Sequence, residues 1–192
     1  LTVVAQKGKP RTLEATDDGV GLTEDDLHRL LATIGETSKR DGEGRRTGDF
    51  LGQFGIGLLS CFVVSDEIVV VTRSARGGSP AVEWRARADG TYSVRTLDAD
   101  IAPGTQVYLT CRPGREEFFS AEAVKETAFH YGALLPYPIR VGSGRSGTIV
   151  NHQIPPWRVA FADEKQRTQA LLRFGKQAFD ETLSRTGHFV AP

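Results

Sequence analysis

Methionine is absent from this 192-residue chain, and cysteine and histidine are scarce. The two cysteines, Cys61 and Cys111, lie far apart, and each sits inside an apolar run. This pattern favours reduced core residues over a disulfide framework or a metal site. The four histidines have no ligand spacing, so no metal site is predicted in the chain itself. Because the sequence begins with Leu1 and lacks methionine, we expect a fragment or a chain without its true beginning.

Net charge and long apolar runs are also absent. Lysine plus arginine number 24, as do aspartate plus glutamate, so the formal net charge is zero. Nucleic-acid binding needs a basic face to replace counterions, and we therefore expect no nucleic-acid partner. No run approaches the roughly 18 apolar residues of a membrane span. No basic-then-apolar leader opens the chain, so we expect no membrane association, no secretion and a cytoplasmic location.

Apolar spacing predicts a fold that contains both helices and strands. Thr23 and Asp26 form a capping box, which predicts a helix whose apolar face continues to Ile34. Residues 58–64 are apolar on all sides, which predicts a buried helix. Further helices are predicted from Ser120 to about residue 135 and over residues 163–183. Strands are predicted at residues 3–4, 12–15, 68–72, 82–86, 92–94, 106–111, 138–141 and 148–150, with a hairpin turn at residues 89–90. The sequence thus predicts an α+β two-layer sandwich, with a mostly antiparallel sheet covered by helices on one face.

Two glycine-containing motifs form the candidate site. The first is the acidic turn Asp17-Asp18-Gly19-Val20-Gly21, and the second is the glycine-rich segment at residues 52–57. Glycines let backbone amides approach phosphate closely, and a helix that follows them presents unpaired N–H groups. An ionised carboxylate at Asp17 suits the amino group of adenine, whereas guanine has a carbonyl at that ring position. The pair therefore predicts an adenine-nucleotide site.

Each motif has simpler interpretations when taken alone. The acidic turn is most often only a turn. It is not a calcium loop, because the glutamate required at the twelfth position is replaced by His28. The glycine segment reads G-x-x-G-x-G, the reverse of the dinucleotide fingerprint, and it lacks the Gly-Lys-Ser/Thr of a Walker loop. Its simplest interpretation is a tight turn before a core helix.

Residues 35–51 combine glycines with charged side chains and cannot bury an apolar face. They are equally compatible with a solvated loop and with a lid, because they lie between the two halves of the candidate site.

The two motifs, together with Gly104-Thr105, Tyr137-Pro138-Ile139 and the segment from Asn151 to Trp157, resemble the ATP-binding domain of the ninety-kilodalton heat-shock chaperones. The resemblance is to the bacterial high-temperature protein G type, within the Bergerat-fold ATPase superfamily. It covers most of the chain in the family's order, and Gln53-Phe54 is its most specific part.

Site roles follow from this resemblance. It implies that Asp17 binds the adenine amino group, with Gly19 leaving space and with Gly21 and Thr105 supporting it through a water. It implies a lid at residues 35–51 and the cofactors ATP or ADP with Mg²⁺. The base pocket would be lined by Leu22, Leu31 and Leu58, and the phosphates would be bound by Gly52, Gln53, Phe54, Gly55, Ile56 and Gly57.

The chain also departs from the family pattern. The helix that carries the water-activating glutamate and the magnesium-binding asparagine would lie upstream of Leu1, so no catalytic or metal residue is assigned. Leu58 replaces the usual phenylalanine, Leu30 replaces an asparagine and Glu36 replaces a lysine of the lid. Lys39 or Arg40 is a candidate for the missing charge. The middle-domain arginine that contacts the γ-phosphate would follow Pro192.

The resemblance implies an ATP-dependent chaperone that binds unfolded client proteins and dimerises through regions outside this chain. Residues 1–150 would be the ATP-binding domain without its first helix, and residues 151–192 the linker and the start of the middle domain. The complete protein would hydrolyse ATP, whereas this chain would bind it without efficient turnover. Two alternatives stay open. One is a mismatch-repair-type ATPase of the same fold, because Thr37-Ser38-Lys39 resembles the lid of those enzymes. The other is a non-catalytic interaction module that keeps the fold.

Overall fold

A computed structural model describes residues 1–31, 57–142, 147–151 and 154–179. It divides into two compact units. One is Val4–Ser120, and the other combines Leu1–Val3 with the described residues from Ala121 onward. Among the described residues, no helix has both the length and the apolar character needed to cross a membrane.

Eight strands are present in the described part of the chain. They are β1 (Thr2–Gln6), β2 (Thr12–Asp17), β3 (Ser65–Arg73), β4 (Ala81–Arg87), β5 (Tyr92–Leu97), β6 (Gly104–Cys111), β7 (Arg140–Val141) and β8 (Thr148–Ile149). They are hydrogen-bonded in the order β5-β4-β3-β6-β2-β1-β7-β8. In the described residues β1 pairs with β7 in parallel, whereas the pairs β2–β6, β3–β4, β3–β6, β4–β5 and β7–β8 are antiparallel. The predicted α+β fold with a mostly antiparallel sheet is confirmed.

Three α-helices and three short 3₁₀ helices accompany these strands in the described residues. The α-helices are α1 (Glu24–Leu31), α2 (Ala121–Gly132) and α3 (Glu164–Phe179), and the 3₁₀ helices are Leu58–Val63, Glu116–Phe119 and Pro156–Arg158. The predicted capping box of α1 is confirmed: the Asp26 backbone amide donates to Thr23 Oγ1 at 3.1 Å, and the Thr23 backbone amide donates to Asp26 Oδ2 at 3.1 Å. These bonds satisfy amides that the first helical turn leaves unpaired.

The core of the larger unit lies on one face of its sheet. Side chains alternate between the two faces of a strand, and directly paired residues of neighbouring strands share a face. The pairing places Ala15, Val107, Val70 and Trp84 in one row across β2, β6, β3 and β4. Leu27 of α1 is fully buried and joins the same cluster, so α1 covers this face. The buried members of the cluster are Leu27, Ile68, Val70, Val82, Trp84, Ala86, Leu109, Cys111 and Phe119.

Two predicted helices differ from the structure. Leu58–Val63 forms a 3₁₀ helix rather than a buried α-helix, and Val63 is 57% exposed. Leu58 and Phe62 pack against the core, whereas Ser60 and Val63 are exposed. Helix α2 starts after Ser120 as predicted but ends at Gly132 instead of near residue 135. Pro136 disfavours the helical conformation of Leu135, so the helix is not expected to continue through that residue.

The smaller unit is organised around the side chain of Asn151, which is 7% exposed. Its Nδ2 donates to the carbonyl oxygens of Leu135 and Tyr137, and its Oδ1 accepts from the Ile139 amide, each at 2.8 Å. The amide therefore uses both donors and its oxygen to fix the segment that leads into β7. Helix α3 begins after Asp163, whose Oδ1 accepts from the Gln166 amide at 2.7 Å. Its predicted extension to residue 183 lies outside the described residues.

Candidate functional site

A polar row crosses the otherwise apolar inner face of the sheet at one end of three strands. Asp17 of β2 pairs with Thr105 of β6, and Thr105 pairs with Thr72 of β3. The two preceding rows of the same face are apolar in these three strands. Since directly paired residues share a face, the Asp17, Thr105 and Thr72 side chains project to the same side as the core. The site thus forms where the core face changes from apolar to polar. We call these three residues the polar row.

The turn that follows β2 fixes the Asp17 carboxylate. Asp17 Oδ1 accepts a hydrogen bond from the Gly19 amide at 2.9 Å, the side-chain-to-backbone bond of an Asx turn. A Cβ atom at Gly19 would lie only 2.9 Å from the same Oδ1. Asp17 is half-buried, while Gly19 is exposed. Among the described residues, the Gly19 amide is the one donor to this carboxylate, which leaves the second oxygen able to accept from a ligand.

Two glycines allow close backbone approach on either side of the polar row. Gly21 has φ +60°, and a Cβ atom there would lie 1.8 Å from the Arg73 carbonyl oxygen at the end of β3. Gly104 has φ +138°, and its Cβ would lie 2.3 Å from the Asp17 carbonyl oxygen. Any other residue type would push these backbones apart. The predicted importance of Gly21 therefore has a packing basis in the structure.

Thr72 is the site residue that the sequence analysis missed. It is fully buried, and its Oγ1 accepts from the Leu22 amide at 2.9 Å and donates to the Gly104 carbonyl oxygen at 2.8 Å. It also lies 3.2 Å from Thr105 Oγ1. One hydroxyl thus joins the acidic turn, β3 and β6. A signal was available, since Ile68, Val70 and Thr72 alternate along β3 and a hydroxyl at the third inward position needs a partner.

The remaining predicted residues are only partly within the described chain. Leu22 follows the acidic turn, is half-buried and packs against the core cluster, as does Leu58. Leu31 is the last residue of α1. Gly57 is exposed and precedes the 3₁₀ helix, where Ser60 Oγ donates to its carbonyl oxygen at 2.7 Å. The other residues of the glycine segment, Gly52, Gln53, Phe54, Gly55 and Ile56, and the lid at residues 35–51 lie outside the described residues.

Neither cysteine is prepared for nucleophilic chemistry. Both are free thiols, and Cys111 belongs to the buried core. Burial raises the pKa of the Cys61 thiol and, together with nearby Glu116, raises the pKa of the Cys111 thiol. Both side chains therefore stay protonated at neutral pH. Cys111 is therefore a core residue as predicted, whereas Cys61 is half-buried and packs against the core.

The polar row can bind a group that donates hydrogen bonds. An ionised carboxylate accepts only, and its half-buried position strengthens a hydrogen bond by excluding part of the water. Leu22 and Leu58, which pack against the core cluster, lie in the same unit as the polar row and are apolar surfaces of the kind that a flat ring packs on. An aromatic base with an exocyclic amino group has both a flat ring for the apolar contacts and N–H donors for the carboxylate.

Comparison with known proteins agrees with this geometry. The family model described as "Histidine kinase-, DNA gyrase B-, and HSP90-like ATPase" matches residues 1–108, which include the whole polar row. The chain is 34% identical over 140 residues to "Chaperone protein HtpG" of Cupriavidus taiwanensis, covering 69% of this chain and 22% of that protein. It is 31% identical over 143 residues to the protein of the same name from Chlorobium luteolum, covering 71% and 23%.

A eukaryotic relative aligns over more of the chain. The "TNF receptor-associated protein 1 homolog, mitochondrial" of Dictyostelium discoideum is 29% identical over 187 residues, covering 93% of this chain and 25% of that protein. The chain therefore spans about a quarter of the length of the curated relatives that it matches. With the family model covering more than half of its residues, the chain belongs to the histidine kinase-, DNA gyrase B- and HSP90-like ATPase family.

Proposed function

We propose that this chain is the ATP-binding domain of an ATP-dependent molecular chaperone that binds unfolded client proteins. The observation that carries the proposal is the polar row, in which Asp17 lies beside Thr105 at the end of the core face. Its support comes also from relatives that are named chaperones. Their names apply to whole proteins, so the chaperone activity belongs to a chain longer than the segment compared.

In the proposed site, Asp17 accepts from the amino group of adenine, and Thr105 contacts the same end of the base. Leu22, Leu31 and Leu58 contact the ring. The phosphates are assigned to residues 52–57, and the lid to residues 35–51. ATP supplies the phosphoanhydride bond whose hydrolysis the complete protein uses, and Mg²⁺ accompanies the phosphates. We assign no magnesium ligand and no water-activating residue within this chain.

The remaining features of the proposal concern the complete protein. Residues 1–150 form the ATP-binding domain, and residues 151–192 form the linker and the start of the middle domain. Dimerisation uses regions outside this chain. A cytoplasmic location is proposed, and the two free cysteines are compatible with a reducing compartment.

Calorimetric titration with ADP tests the proposal. The wild-type chain is expected to bind ADP, and Asp17→Asn to bind it at least about tenfold more weakly, because an amide cannot act as an ionised acceptor. Asp18→Asn is the matched control: Asp18 is exposed, is the next residue in the turn and is expected to change ADP affinity little.

The outcomes separate the candidate functions. Loss of affinity in Asp17→Asn but not in Asp18→Asn supports the nucleotide site. Absence of ADP binding by the wild-type chain contradicts it and favours a non-catalytic interaction module. A mismatch-repair-type ATPase would bind ADP as well, so refolding assays on the complete protein distinguish it: no protection of an unfolded client protein would contradict the chaperone proposal.

A further inference from the structure

We propose that Thr72 is a positioning residue that sets the base specificity of the nucleotide site by fixing the direction of the Thr105 hydroxyl group. The inference rests on the proposed function, since it concerns how the same site distinguishes one base from another. Thr72 itself is fully buried and lies one strand further from Asp17 than Thr105 does. It therefore acts on a ligand through Thr105.

The Thr72 hydroxyl group can donate only one hydrogen bond, which limits what it can offer to Thr105. A hydroxyl group has one proton to donate and two lone pairs with which to accept. A carbonyl oxygen cannot donate, so the 2.8 Å contact between Thr72 Oγ1 and the Gly104 oxygen uses the Thr72 proton. The Leu22 amide, at 2.9 Å, occupies one of the two lone pairs. Thr72 can then only accept from Thr105 Oγ1, which lies 3.2 Å away.

A hydrogen bond across this 3.2 Å contact therefore has Thr105 as its donor, and the proton of Thr105 points toward Thr72. The Thr105 hydroxyl group offers only lone pairs to anything bound beside it. Asp17, its direct partner across β2 and β6, also offers only lone pairs when it is ionised. Side chains of directly paired residues lie about 4.5–5.5 Å apart at Cβ, so one small group can face both. The base end of the site is therefore made of two acceptors.

A site made of two acceptors distinguishes an amino group from a carbonyl group. The amino group of adenine has two N–H donors, whereas hypoxanthine has a carbonyl oxygen at that position, which both acceptors repel. Sites built to bind a donor reject the analogue that lacks it, because their buried polar atoms are then left unpaired. If Thr72 loses its hydroxyl, the proton of Thr105 is free to rotate toward the ligand. It can then donate to a carbonyl, and the preference for adenine falls.

The test compares the affinities of ADP and inosine diphosphate in the full chain. The wild-type chain is expected to prefer ADP. Thr72→Val removes the hydroxyl at nearly constant volume and is expected to lower the ADP-to-IDP affinity ratio by about tenfold, whereas Thr72→Ser keeps the hydroxyl and should retain the ratio. Thr96→Val is the matched control. Thr96 of edge strand β5 pairs with Val82, which in turn pairs with Thr72, and it is exposed. The ADP-to-IDP affinity ratio of Thr96→Val should therefore equal that of the wild type.

The ratio separates positioning from a merely structural role. If Thr72→Val weakens ADP and IDP by the same factor, the inference is overturned while the proposed function stands. If the wild-type chain binds neither nucleotide, both the proposed function and the inference about Thr72 are contradicted. Thr105→Val keeps the inference falsifiable should Thr72→Val not fold, because Thr72 retains its bonds to Leu22 and Gly104. A Thr105→Val chain with an unchanged ratio also overturns it.

Discussion

Three glycine-to-alanine substitutions test how closely the acidic turn packs against the end of β3. At Gly21 an added Cβ would meet the Arg73 carbonyl oxygen at 1.8 Å, and φ is +60°. At Gly78 φ is +80°, but an added Cβ would meet no atom within 4 Å. At Gly77 an added Cβ likewise finds open space, and φ lies outside the left-handed range. The three sites thus separate backbone strain from steric contact.

The expected losses follow from these two components. A left-handed conformation costs an L-residue about 1–2 kcal/mol, which is partly offset because alanine restricts the unfolded chain by about 0.4–1 kcal/mol. Gly78→Ala should therefore lower the free energy of unfolding by about 1 kcal/mol, and Gly77→Ala should change it by less than about 1 kcal/mol. Gly21→Ala must also move a backbone carbonyl that neighbours the bonds of Thr72. With those bonds weakened, we expect a loss of about 3–5 kcal/mol.

Urea unfolding followed by circular dichroism measures the three differences. If Gly21→Ala loses no more stability than Gly78→Ala, the expected steric contact with the Arg73 carbonyl is refuted. In that case the turn does not approach β3 as closely as the structure shows, and the polar row is not assembled in this way.

Two further predictions concern a buried glutamate of β4 and the smaller unit. The pKa of Glu83 is lowered chiefly by its two hydrogen bonds with Arg95, each 2.9 Å long. The ionised Glu83 therefore stabilises the folded chain fully above the ordinary pKa of about 4.5, and this stabilisation is lost as pH falls through the lower pKa of the folded state. Glu83→Gln should therefore cost about 1 kcal/mol at pH 7 and nothing near pH 2, and an equal cost in urea titrations at both pH values would contradict this. Asn151→Ala removes three side-chain hydrogen bonds and should destabilise the smaller unit by about 2–4 kcal/mol, as measured by thermal unfolding with Trp157 fluorescence. Asn151→Asp lacks both donors and should do no better, so full stability in that variant would show that the bonds to Leu135 and Tyr137 contribute little.

Much of the fold could be predicted because local signals agreed with tertiary packing. The capping box at Thr23 fixed the start of α1, and the alternation along β4 and β5 around the turn at Gly90 fixed a hairpin. The segment Leu58–Val63 could not be predicted correctly. Its apolar residues suggest burial on all sides, but Val63 is exposed and the segment adopts the tighter 3₁₀ form.

The candidate site was predictable in its parts but not in its assembly. Asp17 and the glycines, to which the proposed nucleotide site is assigned, are visible as motifs. Thr72 lies 55 positions from Asp17 in the sequence, and only the register of β2, β6 and β3 brings the two into one row. Register depends on which residues of distant strands pair, which periodicity along one strand does not determine. The alternation along β3 marks Thr72 as an inward-facing hydroxyl, but its place in one row with Thr105 and Asp17 became visible only in the structure.

Amide chemical shifts of the isotope-labelled chain can be followed during a titration with ADP. This measurement tests directly whether the adenine end of a nucleotide binds at the polar row. The largest shifts are expected at the amides of Gly19, Leu22 and Thr105. No change is expected at Arg95 on edge strand β5, whose side chain pairs with Glu83 on the opposite face. ADP binding that leaves the amides of the acidic turn and of Thr105 unshifted would rule out binding of adenine at the polar row.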